Sequence, residues 1–88
     1  DEDPDVRTLP NGESLVDGGM SIADFNDHFG LTLPDDEFDT LGGYLFGQFE
    51  HVPVVGESLE LDGWRIVVEA LEGRRITEVR LLPVLDID

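Results

Sequence analysis

Four carboxylates lie close together near the middle of the chain and form an acidic cluster, Asp35, Asp36, Glu37 and Asp39. Hard divalent cations such as Mg²⁺ and Ca²⁺ bind where several carboxylate oxygens converge at about 2–2.6 Å. The cluster is therefore a candidate for a weak divalent-cation site, although its spacing is not that of a Ca²⁺-binding loop. The start of a helix also favours acidic side chains, because they interact with the positive end of the helix dipole. Both interpretations stay open, and no metal ligand is assigned.

No pairing of a nucleophile with a base is visible. The chain has no cysteine, which excludes thiol catalysis, disulfides and thiolate metal sites. His28 and His51 do not form a zinc motif, and we expect structural or solvent-facing roles for both. The three serines are expected at a strand start, a helix N-cap and a strand edge: Ser14, Ser21 and Ser58. We therefore predict a non-enzymatic domain with no catalytic residues.

The charge of the chain excludes two large classes of partner. Among its 88 residues, 21 Asp and Glu are set against five basic residues, which gives a net charge of −16. Binding nucleic acid or an anionic lipid surface requires cations that neutralise phosphates, so we expect neither. No apolar run reaches the roughly 18 residues of a membrane span. Like charges repel at low salt, and any homo-oligomer is therefore expected to be weak.

Two short helices are predicted. The first covers residues 21–29, with Ser21 as its N-cap and Gly30 as its C-terminal stop. The second covers residues 38–51, with the acidic cluster at its start and a wide apolar arc that should form the centre of the core.

Three glycines fall inside the second helix, where each costs up to about 1 kcal/mol relative to alanine. Gly42 lies within the apolar arc, and we expect it to let a strand pack closely. Gly43 and Gly47 lie on the far side and leave a groove. Either residues 15–20 of this chain fill that groove, or the groove is a docking surface for another domain.

The C-terminal third alternates apolar and polar residues at the period of a β-strand. A two-residue loop at 62–63 pairs Leu61 with Trp64, and a second loop at 72–73 pairs Trp64 with Leu81. The predicted fold class is therefore α+β, with two short helices packed on an antiparallel sheet that ends in a three-stranded meander.

The outer face of this meander is predicted to mix apolar and charged side chains. Val67, Leu71 and Ile76 stand beside four arginines. Apolar clusters rimmed by charge are often partner-binding patches, but scattered apolar residues are also common on protein surfaces. Both interpretations stay open.

The N-terminal residues differ in character from the rest of the chain. Residues 1–13 are acidic and contain turn signals, which predicts a linker or tail. Residues 14–85 are predicted to form the domain. Because the chain opens on Asp1, we expect it to be a piece of a longer protein.

Several short strings resemble one family, and Glu37-Phe38-Asp39-Thr40-Leu41-Gly42-Gly43 is the most specific of them. The others are Asp17-Gly18, Met20-Ser21-Ile22, Asp24-Phe25-Asn26, Gly56-Glu57, Asp62-Gly63-Trp64 and Gly73-Arg74-Arg75-Ile76. Together they resemble the transporter-associated domain, the C-terminal domain of CorC/HlyC hemolysin-like proteins. The resemblance covers about residues 14–82.

The resemblance implies a non-catalytic domain that follows a pair of CBS domains, often behind a membrane domain, in proteins associated with magnesium and cobalt efflux. It implies regulation of ion transport through contacts with the CBS domains and a transmembrane domain of the same parent. The resemblance also implies that the domain lies on the cytoplasmic side of a bacterial inner-membrane or membrane-associated protein. Two alternatives are a divalent-cation sensor that uses the acidic cluster and an FAD- or nucleotide-binding module. The second rests on a fold similar to part of an FAD-binding domain, and no flavin-binding residue is assigned.

Overall fold

The computed structural model describes residues 4–84, and the two predicted helices and a larger sheet are present within them. The elements are β1 (Val6–Thr8), β2 (Ser14–Asp17), α1 (Ile22–Phe29), α2 (Leu41–Gln48), β3 (Ser58–Leu61), β4 (Trp64–Glu72) and β5 (Arg75–Pro83). No helix in this part of the chain is long and apolar enough to cross a lipid bilayer.

The strands form one antiparallel sheet in the order β1-β2-β5-β4-β3. Both helices contribute to a single apolar core with the inner face of this sheet, through side chains such as Phe25 of α1 and Leu45 of α2. The opposite face of the sheet, which we call the open face, carries neither helix. The predicted α+β class is confirmed.

The first helix forms for the predicted local reasons. The Ser21 hydroxyl accepts a hydrogen bond from the Asp24 amide at 3.1 Å, which satisfies one of the free donors of the first turn. Gly30 adopts a left-handed conformation with φ of 68° and donates its amide to the Asn26 carbonyl, and this ends the helix.

The second helix is shorter than predicted. It begins after Thr40, whose hydroxyl accepts a hydrogen bond from the Gly43 amide at 3.2 Å, and it ends before Phe49. The Asp39 carbonyl accepts from the Ile22 amide at 3.1 Å, so the chain before Thr40 runs beside the start of α1 and cannot be helical. The acidic cluster therefore precedes the helix, and its predicted place in the first turn is wrong.

The β3–β4 hairpin has the predicted register, with Leu61 opposite Trp64. Asp62 and Gly63 both have positive φ, 49° and 87°. Such values are required by the tight turn that matches the twist of paired strands.

The β4–β5 pairing differs from the prediction by two residues. The loop is at 73–74, so Trp64 lies opposite Pro83 rather than Leu81. Shifting the pairing of two strands by two residues leaves each side chain on the same face of the sheet. A bulge between Val68 and Leu71, however, reverses which side chains face the core between the bulge and the β4–β5 turn.

Because of this bulge, the predicted composition of the outer face is wrong for two of its three apolar residues. Ile76 is 1% exposed, and Leu71, which pairs with it, packs against the core. Of the three apolar residues that the sequence placed outside, only Val67 lies on the open face.

The N-terminal segment also differs from the prediction. Val6–Thr8 is an edge strand rather than part of a tail, because Val6 pairs with Val16 and is only 4% exposed. Residues 1–3 and the predicted domain end at residue 85 lie outside the described residues.

Three main-chain segments cross closely at Gly18, Gly42 and Ile76. The Gly42 amide donates to the Gly18 carbonyl at 2.8 Å, and the Gly18 amide donates to the Thr77 carbonyl at 2.9 Å. A Cβ on Gly42 would lie 2.7 Å from the Ile76 carbonyl oxygen, and one on Gly18 would lie 2.1 Å from the same atom. The prediction that Gly42 allows close strand packing is confirmed, since Ile76 belongs to β5.

Replacing Gly42 by alanine is expected to destabilise the domain by at least about 2 kcal/mol, because the added methyl group meets main-chain atoms that cannot move independently. Gly47→Ala is the matched control in the same helix. Its methyl group would meet only the Phe38 ring, at 3.2 Å, so a change within about 1 kcal/mol is expected. Urea denaturation of both variants measures the difference. Equal effects would show that the crossing does not limit stability.

Candidate functional site

The acidic cluster is spread along an irregular segment rather than gathered around a point. All four of its side chains are exposed. Within residues 4–84, no group of three or more His, Asp or Glu side chains is arranged to hold a metal ion. What the segment offers is a diffuse negative field.

The groove along α2 is filled by a side chain of this chain. The Phe38 ring lies over the helix, with ring carbons 3.7 Å from the Cβ position of Gly43 and 3.2 Å from that of Gly47. The ring also stands edge-on to Tyr44, with centroids 6.1 Å apart. Residues 15–20 do not occupy this groove, and its use as a docking surface would require Phe38 to leave.

A cleft opens beside the glycine crossing, and it was not foreseen from the sequence. It comprises two adjoining spaces of about 330 and 500 Å³. Both are lined by Thr40, Gly42, Gly43, Arg75 and Ile76. The clustered glycines are its sequence signal, since they leave main chain without covering side chains.

Most polar groups at the start of α2 already have partners, whereas Arg74, which lines the larger space, forms no ion pair within residues 4–84. The amides of Gly42 and Gly43 donate to the Gly18 carbonyl and the Thr40 hydroxyl, at 2.8 and 3.2 Å. The Arg75 guanidinium is held by Glu72 at 2.6 Å. The start of α2 therefore has few free donors for an anion.

The open face of the sheet carries a row of side chains that crosses all five strands. The row is Arg7, Leu15, Arg80, Val67 and Ser58. A second row beside it places Glu60, Arg65 and Leu82 next to one another. Val67 was predicted on this face. Leu15 and Leu82 were missed, although their alternation with buried neighbours could have indicated them.

Two of the three arginines on the open face are paired, and Arg7 forms no ion pair within residues 4–84. Arg80 donates to Glu69 at 2.7 Å and to Glu13 at 3.4 Å, and Arg65 donates to Glu60 at 2.8 Å. The Arg80 Nε is buried without a hydrogen-bond partner in the described part of the chain. Apolar side chains between neutralised charges make a surface that is easier to dehydrate than the acidic remainder of the protein.

A loop between α2 and β3 exposes three apolar side chains, Val52, Val54 and Val55, which are 46%, 60% and 61% exposed. We call it the valine loop. The Glu57 carboxylate holds this loop in place, because one of its oxygens accepts a hydrogen bond from the Val54 amide at 2.9 Å and the other contacts His51 Nε2 at 2.6 Å. The Val54 amide, and after it the His51 hydrogen bond, lower the pKa of Glu57 below its usual value.

The two histidines have different surroundings. His51 is 59% exposed and contacts Glu57. His28 is exposed on α1, with its ring centroid 4.7 Å from that of Phe29.

Comparison with known proteins gives one consistent result. A family model described as the transporter associated domain, CorC_HlyC, matches residues 7–84. The magnesium and cobalt efflux protein CorC of Salmonella typhimurium is 37% identical over 81 residues, which is 92% of this chain and 28% of that protein. The chain thus spans less than a third of the length of the curated relatives it matches.

Solved structures share the fold. The CorC_HlyC transporter associated domain from a Xylella fastidiosa hemolysin, in complex with Mg²⁺ and Mn²⁺, superposes with a TM-score of 0.81 at 30% identity, covering 92% of this chain and 99% of that one. The transporter associated domain from a CBS domain protein of Porphyromonas gingivalis has a TM-score of 0.76 at 27% identity, covering 92% of this chain and 99% of that one.

The valine loop should become less stable in acid. A carboxylate whose pKa is lowered by folding contributes stability above its unfolded pKa of about 4.5, and this contribution disappears as the pH falls through the lower folded pKa. Glu57→Gln should therefore be less stable than the parent sequence at pH 7, and this difference should be smaller at pH 3, below the unfolded pKa. Glu72→Gln, at an exposed ion pair, is the control and should have little effect at either pH. Denaturation midpoints at the two pH values measure this, and a pH-independent deficit for Glu57→Gln would contradict it.

Proposed function

This chain belongs to the transporter associated domain (CorC_HlyC) family, and on that premise we propose that it is a non-catalytic regulatory domain of a magnesium/cobalt efflux or hemolysin-like protein. It modulates ion transport through contacts with CBS domains and a membrane domain of the same parent chain, on the cytoplasmic side. The names of its relatives and the small share of CorC that it covers support this proposal.

The open face is the observation that carries the proposal. Three of the chain's five basic residues, Arg7, Arg65 and Arg80, lie on this face. Arginine is enriched at protein interfaces, whereas aspartate and glutamate are depleted. Arg65 and Arg80 are already paired with glutamates, so covering Val67 with a partner leaves these two charges satisfied. Arg7, opposite Leu15, forms no ion pair within residues 4–84, so the partner should bring an acidic group to it. We infer that a neighbouring domain docks here.

Val67→Glu in the full-length parent tests this inference. The added carboxylate would have to be dehydrated on docking, so we expect loss of regulated Mg²⁺ or Co²⁺ efflux. Ala23→Glu, on the exposed side of α1, adds the same charge elsewhere and should leave efflux normal. In the isolated 88-residue chain, Val67→Glu should cost less than about 1 kcal/mol of stability. Normal regulation by a folded Val67→Glu variant would refute docking through the open face.

Cation sensing is a second candidate, because the similar Xylella fastidiosa domain was solved in complex with Mg²⁺ and Mn²⁺. Among residues 4–84, the acidic cluster is the stretch of sequence with the highest density of carboxylates suited to such ions. Against it stands the exposed and extended arrangement of those side chains. FAD binding remains an expectation from fold analogy, and none of the relatives named above is described as a flavoprotein.

An amide NMR titration with Mg²⁺ at physiological ionic strength separates regulation by contact from cation sensing. With the cluster spread as it is, we expect weak, unsaturated shifts at many acidic residues, which is the pattern of counterion screening. Saturable shifts confined to residues 35–40 would instead make this domain a cation sensor. Asp36→Asn should then weaken binding, while Asp24→Asn on α1 should not.

A further inference from the structure

The two edges of the sheet are protected to different degrees. Edge strands are prone to pair with other chains unless they are short or carry charge and proline. β1 has three residues, carries Arg7 and is flanked by Pro4 and Pro10. β3 has four residues and no proline, and its one charged residue is Glu60. Within residues 4–84 its outer side pairs with no strand. β3 is therefore the open edge.

The register identifies which main-chain groups of β3 point outward. The Val68 amide donates to the Glu57 carbonyl and the Val68 carbonyl accepts from the Gly56 amide, both at 2.8 Å, so Val68 and the bulge at Gly56 and Glu57 form a hydrogen-bonded pair. Such pairs alternate along an antiparallel ladder, which makes Leu59 and Leu61 the next residues bonded to β4. The amides and carbonyls of Ser58 and Glu60 therefore point away from the sheet.

Both carboxylates along this edge have side-chain partners. The acids between residues 51 and 61 are Glu57 and Glu60, and each contacts a basic partner, His51 at 2.6 Å and Arg65 at 2.8 Å. In a chain of net charge −16, β3 itself therefore meets a second copy with little like-charge repulsion, and the nearest carboxylate without an ion pair within residues 4–84 is Asp62 in the turn that follows. The three exposed valines of the valine loop lead directly into it.

We propose that two copies of this chain associate through β3, antiparallel about a two-fold axis at Leu59. In this register Ser58 of each copy lies opposite Glu60 of the other, and each such pair exchanges two main-chain hydrogen bonds. The two Leu59 side chains face each other on the core side. A register with Glu60 opposite Glu60 would bring like charges together and is disfavoured.

The same pairing accounts for the valine loop. Because the strands run in opposite directions, the loop that enters β3 of one copy approaches the 62–63 turn that leaves β3 of the other. Apolar side chains that are more than 45% exposed in the single chain thereby lie next to the interface. Burying them contributes to association.

A single cysteine tests the register directly, because the chain has none of its own. Leu59→Cys places two thiols across the axis in a non-hydrogen-bonded pair, with Cα atoms about 4.5 Å apart, which is within disulfide range. Leu61→Cys lies on the same face of β3, but its Cα atoms would be about 13 Å apart. Under mild oxidation, the Leu59 variant should form a covalent dimer and the Leu61 variant should remain monomeric. Equal cross-linking of both variants, or none at position 59, would overturn the proposal.

Sedimentation equilibrium of the cysteine-free chain tests the edge itself. Dimerisation should strengthen between about 0.15 and 0.5 M salt, because repulsion is screened. Ser58→Pro removes an outward amide without breaking the β4 ladder and should raise the dimer Kd at least about tenfold. In β1 the Leu9 amide donates to the Glu13 carbonyl, so the alternation of the ladder turns the Thr8 amide outward, and Thr8→Pro should leave the Kd unchanged. A monomer at about 1 mM in 0.5 M salt, or a dimer indifferent to Ser58→Pro, would refute association through β3.

Discussion

The close crossing at Gly18, Gly42 and Ile76 is the constraint on which the placement of both helices depends. It joins the end of β2, the start of α2 and the start of β5 through main-chain hydrogen bonds of 2.8 and 2.9 Å. Buried amides and carbonyls must find partners, and here the partners are other segments of main chain. A side chain at either glycine would separate these segments. The crossing also brings Thr40 beside Ser21, so the caps of the two helices lie next to each other.

This arrangement also determines where charge can accumulate. The acidic cluster is excluded from α2 because the chain before Thr40 is held extended against the start of α1. Its carboxylates project into solvent, where their mutual repulsion is screened. The sheet, by contrast, holds cations in cross-strand pairs such as Arg65 with Glu60. The molecule therefore has a strongly acidic side and a nearly neutral sheet, and the neutral sheet is the part suited to contact with other protein surfaces.

Local signals predicted the elements that depend on local physics. Ser21 and Gly30 were sufficient for α1, and the Asp62-Gly63 turn was sufficient for the β3–β4 register. The β4–β5 slide follows from a turn at 73–74, one residue beyond the Glu72-Gly73 signal, and the bulge that turns Ile76 into the core beneath α2 depends on tertiary packing, so neither was predictable from local signals. Val6–Thr8 is too short for an alternating pattern to be recognised, and its burial is a tertiary effect.

The candidate site was predictable to a smaller extent, for a related reason. The four carboxylates of the acidic cluster are neighbours in sequence. In an irregular exposed segment, however, the side chains of sequence neighbours need not point to a common centre. The open face is assembled from residues far apart in sequence, such as Arg7, Leu15 and Arg80, and only the strand order brings them together. Phe38 likewise fills the groove at Gly43 and Gly47 from outside the helix.

The row of side chains on the open face ends at Ser58, on the same strand that forms the open edge of the sheet. Pairing of two copies through β3 would therefore join two open faces into one continuous surface. A partner that covered both would bind the dimer better than the single chain, and its binding would favour dimerisation by the same free energy. Docking on the open face and pairing through β3 would then be two coupled equilibria. Through this coupling, a change in the pairing of two copies would change the affinity for the docked partner.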